Sequence, residues 1–379
     1  MKIALLTMSF NNNYGGYLQA YALLSYLKEL GHDVELINVQ PESNDSKYFI
    51  KSFLKKYLLT YFCKKYKLVK YHNKFSKNQA QIEKNMTDFN YRYINPKTDK
   101  IFNHKDFDKI VKDKYDAYIV GSDQVWRPNS YRFLDQAFFG FVKNKDAILL
   151  SYAPSFGLNK VKFNKNDILK YKENLKRFKA VSVREESGIQ ICKDNFDIEA
   201  TVVLDPTMIV DLSYYDTIMT DEKQELNGEL LVYILDDNRG KMDIVNRVAS
   251  QLNYTYFRVN PKKINSTSTL ENLVYPSMGY WLKGFKNTKY VVTDSFHGTV
   301  FSIIYNKPFI VIGNRERGLT RIETLLEKFG LKNRLVFNDY NESLLLQDID
   351  WKSVNIKLKE MKIFSQNFLQ SALLNGKVK

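Results

Sequence analysis

KYVVTDSFHGTVFSIIYNKPFIVI, residues 289–312, is the stretch that decides the fold. Its apolar runs at 290–294 and 309–313 read as buried strands, with a polar turn and a helix between them. Parallel strands need a crossover of this kind, and strands covered on both faces run as near-continuous apolar segments. In the turn, Asp294 or Ser295 is placed to cap the helix. Beyond that cap the backbone N–H groups near Phe296, His297 and Gly298 form an anion site at a helix N-terminus, which makes Ser295, Phe296 and Gly298 candidate substrate contacts. His297 stands where a titratable group at a strand's carboxyl end can reach a ligand. Of the chain's histidines, His32, His72, His104 and His297, it is the one embedded in such a context.

The same pattern recurs on both sides of this stretch. Upstream, 230–235 and 255–259 read as companion strands, and the polar run DEKQELNG at 221–228 reads as a linker. Before the linker, 2–8, 33–39, 117–120, 147–152, 180–183 and 201–204 are apolar runs expected to join in one parallel sheet. Leu18, Tyr21, Ala22, Leu24 and Leu27 put a helix over 17–30, with Gly31 closing it. The predicted organisation is an N-terminal Rossmann-like domain over 1–215 with a basic aromatic insertion at about 45–90, and a C-terminal Rossmann-like domain over 225–350. A final helix within 351–379 is expected to cross back to the first domain. The fold class is α/β: two doubly wound domains facing a cleft, with ligands beyond the carboxyl ends of the strands.

With 379 residues, 44% hydrophobic and 26% charged, the composition is globular. No stretch approaches the roughly 18 apolar residues of a membrane-spanning helix. MKIALLTMSF leads into NNNYGG rather than a cleavage site, so it reads as a first strand. Two cysteines, Cys63 and Cys192, without CxxC spacing indicate neither a zinc site nor a disulfide framework, and a cytoplasmic location is expected. A formal charge of +15 calls for an acidic partner: a phosphorylated substrate, an anionic membrane surface or nucleic acid. Residues 47–82 interleave lysines with aromatics and hold no acidic residue. Such a segment suits the surface of an anionic membrane, at about 1 kcal/mol per lysine, and implies peripheral attachment at the inner face of the cell membrane. The competing reading is a solvated helical hairpin. No RNA-binding motif accompanies the charge, so no nucleic-acid partner is expected.

Three more loops carry candidate chemistry. NNNYGGYLQAYAL, 11–23, places Gly15 and Gly16 between the first strand and helix, where a ligand can approach the backbone. It is not the dinucleotide pattern GxGxxG, so no cofactor is expected. DAYIVGSDQVWRPNS, 116–130, delivers Ser122 and Asp123 to a strand end: Asp123 as a base or hydroxyl-orienting group, Arg127 as a partner for a carboxylate or phosphate. In AVSVREESG, 180–188, Arg184 follows a strand and is read as facing the cleft, its rival being an ion pair with Glu185 or Glu186. GNRERGLTRIETLL, 313–326, supplies Arg315, Arg317 and Arg321, of which one, taken as Arg317, is expected to contact ligand.

Taken in order, NNYGGYLQAYAL, YIVGSDQVWRP, SYAPSFG, VSVREESG, VVLDPT, TDSFHGTVFS and RGLTRIETLL resemble the motif set of the polysaccharide pyruvyl transferase family, over about residues 3–370. The resemblance implies a glycosyltransferase-B-like architecture, phosphoenolpyruvate as donor and a sugar diol as acceptor, a lipid-diphosphate-linked oligosaccharide among the candidates. It implies His297 as general acid, Arg184 as a cation for the donor and Asp123 as the group facing the acceptor hydroxyl. Some members carry an arginine just before the histidine motif, where this chain has Asp294, Ser295 and Phe296. Arg317, Lys283 or the helix N-terminus itself would then meet the phosphate. The alternative on the same architecture is a glycosyltransferase using a nucleotide sugar.

Overall fold

The computed structural model describes residues 1–40, 76–112, 115–128, 130–261, 268–314, 318–337 and 341–374. The expected basic insertion falls largely on 41–75, outside the described residues; beyond it, Lys84–Tyr93 is helical.

The first sheet holds β1 (Lys2–Leu6), β2 (Asp33–Leu36), β3 (Ala117–Asp123), β4 (Ile148–Pro154) and β5 (Phe178–Ala180), in the order β2-β1-β3-β4-β5. Every pairing is parallel. The expectation of one sheet including 180–183 and 201–204 is corrected: β6 (Ser182–Val183) and β7 (Thr201–Val202) leave it and pair separately. The cause is local. Hydroxyls take over where β6 meets β4: Ser182 N donates to Ser151 Oγ at 3.0 Å, Ser151 Oγ to the Ser182 carbonyl at 2.9 Å, and Ala153 N to Ser182 Oγ at 3.1 Å.

The second sheet runs β12-β11-β10-β8-β9, built from β8 (Leu230–Tyr233), β9 (Tyr256–Phe257), β10 (Tyr290–Thr293), β11 (Phe309–Ile312) and a short β12 (Leu335–Val336) that periodicity did not reveal. The helices that matter for the site are α1 (Tyr14–Glu29), α2 (Lys84–Tyr93), α3 (Glu186–Phe196), α4 (Leu212–Met219), α5 (Arg239–Leu252), α6 (Met278–Asn287), α7 (Phe296–Ile304), α8 (Leu319–Phe329) and α9 (Trp351–Leu374). The first helix thus begins three residues before the predicted start, so Gly15 and Gly16 lie in its first turn rather than in a preceding loop.

Each sheet buries the outer face of its strands against its own helices, as with Val120, Trp126 and Tyr171 in the first and Val232, Ile244 and Val248 in the second. A third apolar cluster is shared: Leu18, Leu23, Met208, Trp281 and Phe301 pack together. Tyr14 stacks on Trp281 at 5.6 Å between ring centroids and donates to the Pro276 carbonyl at 2.8 Å. The last helix, α9, is tied to residues of the first half. Ser365 Oγ accepts from Leu204 N at 2.9 Å, Gln366 donates to the Ile209 carbonyl at 2.8 Å and Gln370 to the Tyr26 hydroxyl at 2.7 Å. Among the described residues no helix is long and apolar enough to cross a membrane.

In both sheets the connections diverge at one point, between β1 and β3 in the first and between β8 and β10 in the second. Beyond the carboxyl ends of such diverging strands an open crevice forms, because successive crossovers leave on opposite sides.

Candidate active site

The turn after β10 is fixed by short polar side chains. Thr293 Oγ1 donates to the Tyr233 carbonyl at 2.7 Å and accepts from Ser295 N at 3.1 Å. Ser295, in extended backbone, is the N-cap: its Oγ accepts from Gly298 N at 3.3 Å. Gly298 has no alternative, since a β-carbon there would lie 2.2 Å from Thr293 Oγ1. Asp294 turns the other way. It takes Lys241 Nζ at 2.5 Å and Leu235 N at 2.8 Å, a buried pair on the far side of the turn from His297.

His297 is 5% exposed and aimed at the first half of the chain. Its Nε2 lies 3.6 Å from Asp205 Oδ2 and makes no hydrogen bond among the described residues. On the other side of the ring, a β-carbon at Gly15 would fall 2.0 Å from Nδ1, so the first turn of α1 closes on the imidazole only because residue 15 is glycine.

Asp205, fully buried, is the hub. Its Oδ2 accepts Arg184 Nη1 at 2.6 Å and Ser122 Oγ at 3.1 Å, and its Oδ1 accepts Thr207 Oγ1 at 2.7 Å and Thr207 N at 3.0 Å. Burial alone would raise this carboxyl; the attraction of His297 and Arg184 outweighs it and holds the group well below the usual carboxylate range. Arg184 also donates from Nη2 to Asp123 Oδ1 at 3.1 Å. The rival pairing with Glu185 or Glu186 is absent among the described residues. Glu185 accepts from Phe156 N and Gly157 N, and Glu186 meets Lys328 at 2.7 Å.

Asp123 ends β3 in left-handed backbone, φ 63°, which sets its carboxylate between Arg184 and Arg321, whose Nη1 is 3.7 Å away. Its burial is likewise outweighed, by Arg184, then His297 and Arg321, and the carboxyl is held low. The Phe296 ring lies under both guanidinium groups, 4.5 Å from Arg184 and 5.6 Å from Arg321, a cation–π arrangement in a desolvated place. Burial, with Arg184 close by, brings the Arg321 guanidinium down to about 10. Arg184 and Arg321 face Asp123 and Asp205, with Glu185 and Arg127 acting on them from farther off.

Next to Asp123, at the crevice between β1 and β3, is a recess of about 160 Å³ bordered by Ser9, Phe10, Asn11, Asn13, Gly16 and Gln124. Arg127 donates to Gln124 Oε1 at 2.7 Å, one layer behind this wall.

The sequence candidates therefore divide. His297, Asp123, Arg184, Ser122, Gly15 and Phe296 converge; Gly16 borders the recess; Ser295 and Gly298 shape the turn that holds His297. Lys283 does not take part: it donates to the Gln224 carbonyl at 2.9 Å. Arg317 lies outside the described residues. Asp205 was missed, and Arg321, named among three arginines, was passed over for Arg317. Asp205 carried a signal, a carboxylate closing the apolar run TVVL and followed by proline in LDPT. Arg321 had one too, sharing a helix face with Ile322 and Leu325, both buried.

An imidazole aimed at an ionised carboxylate, two arginines on one aromatic ring and an adjoining polar recess can together bind a small polyanion, move a proton and hold a hydroxyl compound beside it. Solved structures place the architecture. The chain superposes on a UDP-GlcNAc 2-epimerase from Neisseria meningitidis bound to UDP-GlcNAc with a TM-score of 0.54, at 8% identity over 99% of this chain and 100% of that one. It superposes on a putative UDP-N-acetylglucosamine 2-epimerase from Listeria monocytogenes at 0.52, with 10% identity over 99% and 96%. Identities this low establish the fold alone: two Rossmann-like domains in a glycosyltransferase-B-like arrangement. No curated protein matches the chain in sequence. A family model does, over residues 13–316, a span that contains Gly15, Asp123, Arg184, Asp205 and His297, and by it the chain belongs to the polysaccharide pyruvyl transferases.

Proposed function

We propose that this transferase moves the enolpyruvyl unit of phosphoenolpyruvate onto a sugar diol, closing a pyruvate ketal and releasing phosphate. The observation that carries the reading is the His297 imidazole set between Asp205 and Gly15, beside Arg184 and Arg321. Protonated His297 gives its proton to the methylene carbon, which becomes the methyl group while C2 gains cationic character. A first sugar hydroxyl adds to C2, Asp123 orienting it; the carbon–phosphate oxygen bond then breaks, and the second hydroxyl closes the ring. Of the two hydroxyl protons, one restores His297 and the other leaves with phosphate, so the step balances without a cofactor.

The donor carries a carboxylate and a phosphate, and needs cations around it. Arg184 has both terminal nitrogens on carboxylates, so its part is to hold Asp123 and Asp205 in place. Arg321, over the Phe296 ring and beside Asp123, is assigned to the donor anion. The basic insertion, residues 47–82, is assigned to an anionic membrane surface, which would bring the enzyme to a lipid-linked acceptor on the cytoplasmic side.

Phosphate release and acceptor mass gain, measured with phosphoenolpyruvate and a panel of glycan intermediates, test this directly; neither appearing across the panel overturns it. Thermal shift separates the nucleotide-sugar reading, whose support is the UDP-GlcNAc bound to the Neisseria neighbour. Stabilisation by phosphoenolpyruvate and not by UDP is expected, and the reverse would favour glycosyl transfer.

A further inference from the structure

The last helix, α9, carries apolar side chains on two faces. The inner one, with Val354, Leu369, Ala372 and Leu373, is buried in the shared cluster. The outer one presents Ile356, Ile363 and Phe364, which are 52%, 47% and 54% exposed. Spacings of seven and eight residues put them on one stripe. A single exposed apolar side chain needs no explanation, whereas a row of them marks a surface that something covers. Lysines border the row: the helix holds Lys352, Lys357, Lys359 and Lys362 against one acid, Glu360. Lys362 is turned to its own chain, donating to Asp211 Oδ1 at 2.6 Å, while Lys352 and Lys359 stand exposed beside the stripe.

Charge and width choose what covers it. A chain of formal charge +15 repels its own copy and is drawn to an anionic surface. The stripe is one helix wide, well short of the roughly 20–30 residues a side of a standard protein interface, whereas a bilayer is bound by apolar side chains and lysines of a single helix face acting together. We propose that the outer face of α9 rests on an anionic lipid surface, with Ile356, Ile363 and Phe364 entering the headgroup layer and Lys352 and Lys359 meeting its phosphates. Glu360, exposed on the same face, limits the depth, because a carboxylate stays in the hydrated headgroups. The inner face of the helix meanwhile holds Leu204, one residue before Asp205, through Ser365 Oγ at 2.9 Å. Little more than a helix diameter, about 10–12 Å, therefore separates the lipid surface from the strand end that leads to Asp205. This contact is additional to the one assigned to residues 47–82 and does not depend on it.

Co-sedimentation of the full chain with vesicles of phosphatidylcholine, alone or mixed with phosphatidylglycerol, tests the proposal. Binding to the anionic vesicles that weakens as salt rises is expected. Ile363→Ser and Phe364→Ser together are expected to weaken it about tenfold or more, and Lys352→Glu with Lys359→Glu likewise. Melting temperatures should stay near that of the parent, since all four side chains are exposed. Glu360→Gln is expected to tighten binding, and Phe364→Trp to show a blue shift in emission with anionic vesicles only. The serine pair leaving vesicle binding unchanged would give the whole contact to residues 47–82 and overturn the proposal, as would no binding, or equal binding to neutral vesicles. A dimer that forms without lipid and is lost in the serine pair would overturn it too, assigning the face to a second copy. Phosphate release from phosphoenolpyruvate in solution is expected to be unchanged in the serine pair, so this proposal and the proposed reaction fail separately.

Discussion

The two points where strand connections diverge use the same device, a buried carboxylate facing a buried cation, to opposite ends. Beyond β8 and β10, Asp294 takes Lys241 at 2.5 Å and two backbone amides besides, all from its own half of the chain. Beyond β1 and β3, Asp123 is shared between Arg184 and Arg321, a recess remains open beside it, and an imidazole from the other half completes the group. The difference lies in what surrounds the carboxylate. Amides and one short-range cation satisfy Asp294 completely, whereas Asp123 is reached by forked guanidiniums that bridge to further partners and leave one oxygen on the cavity side. A closed pair serves the fold, and a shared one has capacity left for a ligand.

This contrast can be broken most severely at His297. His297→Ala is expected to lower turnover about 10²–10⁴-fold, the range of general acid catalysis, in protein that still folds by circular dichroism though less stable for the cavity left and the partner taken from Asp205; full activity would place the acid elsewhere. At the closed crevice the effect should fall on stability instead. Lys241→Met strands Asp294 and is expected to cost about 3–5 kcal/mol in urea unfolding, while the folded fraction keeps its turnover per molecule. A loss of specific activity there would erase the distinction between the two crevices. Gly15→Ala sharpens the first crevice: its methyl must displace the His297 ring, so about 1–3 kcal/mol of overpacking and a fall in kcat larger than any change in KM are expected. The smallest effect belongs to Lys328→Ala, which removes the pair with Glu186, 54% exposed; less than about 1 kcal/mol should be lost and no catalytic change seen.

Acid should act on the open crevice through Asp205 and Asp123. Their carboxyls are held low in the folded protein, so the stability they contribute is present above the unfolded carboxylate range, near about 3.9, and disappears as pH falls through the lower folded values.

Much of this was readable from residues alone. The long apolar runs gave the strands of both sheets, and TDSFHGT announced a capped helix with a histidine at a strand's end, because capping and strand burial are local effects. What was hidden depended on distant parts of the chain meeting. Asp205 and Arg321 each looked like an ordinary turn or surface residue until the loop after β7 met Arg184 and His297 and α8 met Asp123 and the ring of Phe296. Gly15 read as a spot where a ligand can approach the backbone, while its need is steric and set by the His297 ring far along the chain. The short β12 escaped for want of an apolar run, while β6 and β7 were read as strands and placed in the wrong sheet, because the choice of pairing partner is not local.

The departure of β6 from the first sheet has an outcome of its own. Where amide ladders join two strands, no side-chain replacement other than proline removes a bond, since every other residue type carries the same N–H and carbonyl. Between Ser151 and Ser182 hydroxyls stand in for part of that ladder, which resumes two residues later where Arg184 N donates to the Pro154 carbonyl at 3.1 Å. The strand that carries the guanidinium holding both carboxylates is thus joined to its neighbour partly through two side chains that evolution can exchange, a seam in the sheet where sequence and not backbone sets the fit.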